Sequence, residues 1–193
     1  MQAYSVFANL GIKHDIHAID KIEDSDGNIL EEYKAPEKLE PVFSPAASYI
    51  ITKILSDADA RPEGFWRNAL SINGKIVAAK TGTSNKEISA DKILPRDLWT
   101  AGYSTQITTV VWAGNVNGKE TRGNCDGLNC AAGIWKPFME FALKDLPKED
   151  WKKPEGIYSY TIAKLSGKLA TDTTPDTQKI STMTAVKLDE YDE

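Results

Sequence analysis

The chain has 193 residues, 41% of them hydrophobic, which is enough for one globular domain with a real core. A formal net charge of -5, with no long run of Lys or Arg, gives no basic field for a phosphate backbone, so nucleic acid is excluded as a partner. No stretch approaches the roughly 18 to 20 consecutive apolar residues that span a bilayer, and Met1 is not followed by a basic segment and an apolar one, so no targeting segment is read.

Residues 1–11 read as a helix ended by Gly11, which suggests a reading frame that starts inside a folded element. Residues 17–23 and 29–33 are strand-like and flank Asp24-Ser25-Asp26-Gly27-Asn28, a turn signal, so a surface hairpin is predicted. A loop with Pro36 and Pro41 leads to Ser44-Pro45, an N-cap serine before a proline at the first helical position. Ala47, Ile50, Ile51, Ile54, Leu55 and Ala58 then predict a helix of about four turns buried along that face.

Residues 61–74 are polar and irregular. Ile76-Val77-Ala78-Ala79 is an apolar run ending in Lys80-Thr81-Gly82-Thr83, read as the innermost strand with Lys80 near its end. Residues 85–95 are expected to form a charged loop. Residues 98–105 and 107–113, rich in aromatic and β-branched side chains, complete three antiparallel strands in a row.

The loop at 114–129 carries Cys125, and Cys130 follows just after it, four residues intervening between the two. The pair can close a small disulfide in an oxidising compartment or remain two free thiols; a zinc site would need further Cys or His ligands, and none is near. Ile134, Trp135, Phe138, Met139 and Ala142 form a helical stripe, and Pro137 requires that helix to begin within about four residues before it, because proline is tolerated in the first turn. Residues 1–146 are thus taken as the folded part, and 147–193, poor in large apolar residues, as an extended tail, disordered after about residue 175.

Lys-Thr-Gly-Thr at an apolar strand has a direct reading in serine acyl transfer. Lys80 can hold the free carboxylate of a peptide substrate and assist proton movement, and the Thr81 and Thr83 hydroxyls can hydrogen-bond that carboxylate. Gly82 lets a substrate lie against the strand edge, and the Thr83 backbone N–H can supply half of an oxyanion hole.

The flanking segments resemble the class A penicillin-binding proteins in order. Ala3-Tyr4-Ser5-Val6-Phe7-Ala8-Asn9-Leu10-Gly11 is similar to that family's helix after its second motif. The turn at Asp24-Ser25-Asp26-Gly27 resembles its next element. Asp97-Leu98-Trp99-Thr100-Ala101-Gly102-Tyr103 and Val111-Trp112-Ala113-Gly114 resemble its following strands. Ile134-Trp135-Lys136-Pro137-Phe138-Met139 resembles its final helix, and Lys153-Pro154-Glu155-Gly156-Ile157 its exit from the domain. The resemblance implies the C-terminal part of the penicillin-binding, serine β-lactamase-like transpeptidase fold, of the α/β (α+β) class, an antiparallel sheet with packed helices. It implies a D,D-transpeptidase that cross-links peptidoglycan stem peptides through a serine acyl-enzyme and is acylated by β-lactams, without cofactor or metal. A D,D-carboxypeptidase or β-lactamase of the same fold and a non-catalytic binding fragment are the alternatives. An upstream glycosyltransferase domain, a membrane anchor and an extracytoplasmic location are implied for the intact protein.

The family's Ser-x-x-Lys and Ser-x-Asn motifs precede the third motif, and this chain lacks them in that order. Ser89-Ala90-Asp91-Lys92 follows the third motif in a charged segment, and Ser71-Ile72-Asn73 lies only a few residues before Lys80, so both are rejected. Gly74 to Thr81 departs from a phosphate-loop pattern at Ala79, and its apolar, β-branched interior does not suit a phosphate cradle. His14 and His17, beside Asp15 and Asp20, read as a solvated approach to the hairpin rather than a metal site. Trp99, Tyr103, Trp112 and Trp135 read as core residues rather than sugar-stacking platforms.

Overall fold

The structure, a computed structural model, describes residues 1–36, 39 and 41–192. Residues 37, 38 and 40 of the expected loop, and the last residue of the tail, lie outside them. In chain order the elements are α1 (Gln2–Ala8), β1 (Lys21–Glu23), β2 (Ile29–Glu32), α2 (Pro45–Ser56), α3 (Phe65–Ala69), β3 (Ala78–Ser89), β4 (Lys92–Tyr103), β5 (Thr108–Ala113), a π-helical turn (Gly127–Ala131) that runs into α4 (Ala132–Ala142), β6 (Tyr158–Ala163) and β7 (Lys179–Thr184). The central sheet has the order β3-β4-β5, all antiparallel, and β1-β2 and β6-β7 are separate two-stranded sheets.

Two layers of helix enclose the central sheet. Alternation along β3 and β4 turns Ala79 and Gly102 to α4, where Trp135, Met139 and Leu143 form a core with Leu70, Ile72 and Val77. The opposite face presents Ala78 and Tyr103 to α1 and α2, in a second core with Tyr49, Trp151 and Ile157. Gly102 is required here, because any Cβ would collide with the Trp135 indole, which is fully buried.

At the first helix, Leu10 and Gly11 turn the chain with positive φ, and the Gly11 N–H donates to Val6 O at 2.8 Å, satisfying an end carbonyl. The helix beginning at Pro45 has the expected cap, with the Ala47 N–H donating to Ser44 Oγ at 3.1 Å. Its buried face differs from the apolar stripe. Ser48, Tyr49 and Thr52 are buried, Ala47, Ile51 and Ile54 are exposed, and Ile54 keeps 61% of its surface. Small hydroxyl residues admit the close approach of Gly11 and let the Thr52 hydroxyl meet Tyr103 Oη at 3.0 Å inside the core.

Other expectations need correction. Lys80 is the third residue of a twelve-residue strand, and β3 is at the edge of the sheet rather than innermost. Residues 85–95 are not a loop: they extend β3 and β4 into a long hairpin whose ends pair at Ser89 and Lys92. From residue 87 to 93 both faces of that hairpin are in solvent, so no apolar alternation marks its tip in sequence. The final helix starts at Ala132, five residues before Pro137, so the proline lies inside it. Gly133, whose carbonyl loses its helical donor to Pro137, is exposed, as is Pro137 itself, so water can serve that carbonyl. On α4, Trp135 and Met139 are buried, but Ile134, Phe138 and Phe141 face outward.

Past Leu146 the chain packs back on the domain: Trp151 is buried and its indole N–H donates to Ala8 O at 2.9 Å, and Lys53 pairs with Asp150 at 3.0 Å. The segment beyond residue 175, expected to be disordered, carries β7, which pairs with β6 along its whole length from Tyr158↔Thr184 to Ala163↔Lys179.

Candidate active site

Lys80 stands at the exposed edge of β3 next to a groove of about 400 Å³. The groove runs between the C-terminal end of α2, the segment leading into α3 and the π-turn, and its walls include Leu55, Arg61, Trp66, Lys80, Thr81 and Leu128. The Lys80 ammonium donates to the Thr81 carbonyl at 2.6 Å, and no carboxylate pairs with it among the described residues. An exposed cation held only by a backbone oxygen can exchange that contact for a carboxylate. Arg61 forms part of the far wall and donates to Leu55 O at 2.6 Å and Leu70 O at 3.3 Å; burial holds its pKa below the usual guanidinium value, while Asp57 acts the other way.

Strand alternation divides the motif. Lys80, Gly82 and Ser84 belong to one face, and Thr81 and Thr83 to the other, beneath the π-turn. Thr83 is exposed and is not part of the groove wall; its Oγ1 accepts the Gly127 N–H at 3.0 Å. The Gly127 carbonyl in turn accepts from Thr100 Oγ1 at 2.6 Å, so a single glycine ties the motif strand to its neighbour. A Cβ at this position would lie 2.5 Å from Trp99 O and 2.6 Å from Gly82 O, which leaves room for glycine alone. Cys125 and Cys130 are joined by a disulfide that brackets Gly127, with Cα atoms 5.6 Å apart. Inside that ring Asp126 accepts the Leu128 and Asn129 N–H groups, both at 2.7 Å, and Asn129 Oδ1 accepts the Asp126 N–H at 2.8 Å. The sequence reading placed Gly127 in a loop and gave it no role; the signal was its position between two closely spaced cysteines.

On the face shared by Lys80, Asp97 pins the end of the motif. Its Oδ2 accepts from Ser84 Oγ at 2.6 Å and Arg96 Nε at 2.8 Å, and its Oδ1 from the Trp112 indole at 3.2 Å. These donors, Ser84 first, lower its pKa to about 2. Trp99 and Trp112 lie side by side above this network, 6.3 Å between ring centroids, and both are exposed, so only Tyr103 and Trp135 of the four aromatics are core residues as expected.

Neither rejected serine reaches a catalytic setting. Ser89 is exposed at the hairpin tip opposite Lys92, and Ser71 Oγ donates to Arg67 O at 2.7 Å in the turn after α3. His17 stacks on Tyr33 and contacts Asp20 at 2.7 Å.

The family model described as the penicillin binding protein transpeptidase domain matches residues 1–140. The chain belongs to the penicillin-binding protein transpeptidase family. Penicillin-binding protein 1A of Neisseria gonorrhoeae is 32% identical over 161 residues, which are 82% of this chain and 19% of that protein. Among solved structures, penicillin-binding protein 1A from Haemophilus influenzae superposes with a TM-score of 0.77 over 98% of this chain and 32% of its own, at 22% identity. Penicillin-binding protein PonA1 from Mycobacterium tuberculosis superposes with a TM-score of 0.66 over 79% of this chain and 39% of its own, at 29% identity. The class A resemblance of the flanking segments agrees with these relatives, and the chain spans about a fifth of the length of the Neisseria protein. Its mixed helix and antiparallel-sheet architecture is that of a penicillin-binding transpeptidase domain. Among the described residues no helix is long and apolar enough to cross a membrane.

Proposed function

We propose that Lys80 to Thr83 are the substrate-binding edge of a D,D-transpeptidase site whose nucleophilic serine is carried by a segment outside these 193 residues. The observation that carries this reading is the Lys80 ammonium, exposed on an edge strand beside a groove and held, among the described residues, by the Thr81 carbonyl alone. The serine oxygen attacks the penultimate D-alanine carbonyl of a stem peptide, and its proton passes to a neighbouring base. The tetrahedral oxyanion is stabilised by backbone N–H groups, the Thr83 N–H among them, and collapses as the base returns that proton to the leaving nitrogen and D-alanine departs. An amine of a neighbouring stem peptide then takes the acyl group and restores the serine.

In this reading the terminal carboxylate lies along the open edge of β3, where Lys80 holds it by charge from one face of the strand and the Thr81 and Thr83 hydroxyls direct it from the other. A β-lactam presents an equivalent carboxylate and a strained amide, and acylates the same serine. The Cys125–Cys130 disulfide supports an extracytoplasmic site, because such bonds persist in oxidising compartments. Anchoring to the membrane and a glycosyltransferase domain belong, in this reading, to the remainder of the protein.

Labelling with a fluorescent penicillin tests the proposal. The 193-residue chain alone stays unlabelled, and a protein joining it to its Ser-x-x-Lys segment is labelled at that serine. Stoichiometric covalent labelling of the chain alone would show a nucleophile within it and overturn the reading.

A further inference from the structure

Gly127 touches the motif from the side away from Lys80, and the way it does so sets the direction of a proton. The Thr83 hydroxyl has one hydrogen to give and two lone pairs to receive. One lone pair takes the Gly127 N–H at 3.0 Å, and no protein acceptor takes the hydroxyl hydrogen among the described residues. A hydroxyl that accepts from the backbone on its buried side keeps its hydrogen for the open side, where an anion would lie. Gly127 holds this position through three features: its carbonyl receives Thr100 Oγ1, its missing Cβ admits contact with the backbone of Gly82 and Trp99, and the ring closed by Cys125 and Cys130 restricts the segment that presents it.

We propose that Gly127, held by the Cys125–Cys130 ring, is a positioning residue that fixes the Thr83 hydroxyl as a hydrogen-bond donor toward the carboxylate of the substrate or β-lactam. The inference rests on the reading of Lys80 to Thr83 as the substrate-binding edge. It adds that the disulfide acts on acylation through one hydrogen bond, and not only through the stability of the loop. Opening the ring frees 125–130 to move away from β3, and the Thr83 hydroxyl can then turn its hydrogen to other acceptors.

The test is a double-mutant cycle on the acylation rate of the protein that joins this chain to its nucleophile-bearing segment, with penicillin as the probe. Replacing both cysteines, Cys125→Ser with Cys130→Ser, lowers the acylation rate constant about three- to tenfold, the loss of one neutral hydrogen bond felt in the transition state. In a Thr83→Val background the same pair of changes has no further effect, because the hydroxyl it acted through is gone. Gly127→Ala, which must lift the π-turn off β3, gives at least the same loss; if it does not fold, the cysteine pair decides.

Amide hydrogen exchange on the 193-residue chain supplies a readout independent of catalysis. The Gly127 N–H is protected in the parent and exchanges faster in the cysteine variant. A parental acylation rate in the cysteine variant, additive losses in the cycle, or unchanged Gly127 protection would each overturn the inference. Lys80→Ala run alongside separates the two levels. Parental acylation in that variant counts against the substrate-edge reading. Slow acylation there, with no effect of the cysteines, counts against the Gly127 inference alone.

Discussion

From Ala78 to Ser84 the hairpin of β3 and β4 is held between helices, while from Glu87 to Ile93 the same two strands stand in solvent. At the root, Ala78, Ala79, Leu98, Thr100 and Tyr103 are buried, and at the tip every residue is exposed. The change follows an interruption of register between Ser84 and Asn85, immediately after the motif. Strand pairing is common to both halves, so pairing alone does not explain why chemistry sits in one of them. The root has rigid support from two cores and from Gly127, and it borders the groove. Substitutions that separate packing from pairing should therefore act on the root and spare the tip.

The largest effect is expected at the root's α4 side. Trp135→Ala removes a fully buried indole whose ring covers Gly102, and should destabilise the domain by about 3 to 5 kcal/mol in chemical denaturation. A loss under about 1 kcal/mol would show that the sheet does not depend on this core.

On the opposite side, burial raises the Tyr103 pKa to about 12 from 10.0, with the Thr52 hydroxyl acting against it. A phenol that holds its proton more tightly when folded contributes stability that is complete below pH 10 and is lost as pH rises toward 12. Tyr103→Phe should flatten that alkaline limb; an unchanged limb would assign it to other groups.

Asp97 supplies the acid counterpart. Its pKa is lowered from 3.8 to about 2, so its contribution is present above the higher value and lost as pH falls through the lower. Thermal melts of Asp97→Asn should show a shallower decline over that window than the parent.

The smallest effect belongs to the tip. Ile93 keeps 63% of its surface, and Ile93→Ser should change stability by no more than about 0.5 kcal/mol. A larger loss would mean that the tip is packed against something.

Sequence showed this division only in part. The motif, its strand, and the two strands that follow are legible because apolar and β-branched residues cluster there and the flanking segments resemble a known family in order. The tip was missed because strands wet on both faces carry no period-two apolar signal. The buried face of α2 was misjudged because Ser48 and Thr52 enter the core through size and hydrogen bonding, which hydrophobicity does not report, while Ile51 and Ile54 stay outside. At the site itself Lys80 and Thr81 line the groove, but nothing in Asp126-Gly127-Leu128 announced that its glycine would meet Thr83 across 44 residues. Contacts of that range follow from the path of the chain rather than from local pattern.

The central claim is that the Lys80 ammonium holds the substrate carboxylate, and the most direct measurement is the rate of penicillin acylation for Lys80 variants in the protein that carries the nucleophile. Lys80→Ala should be slower by roughly ten- to a hundred-and-fiftyfold, the loss of one charge-assisted contact of about 1.5 to 3 kcal/mol, with folding unchanged. Lys80→Arg should recover part of that rate, since it keeps the charge but presents a larger planar group. Thr83→Ala should be milder than Lys80→Ala, because its backbone N–H remains. Parental acylation by a normally folded Lys80→Ala would contradict the account and leave the Lys-Thr-Gly-Thr strand with a structural role only.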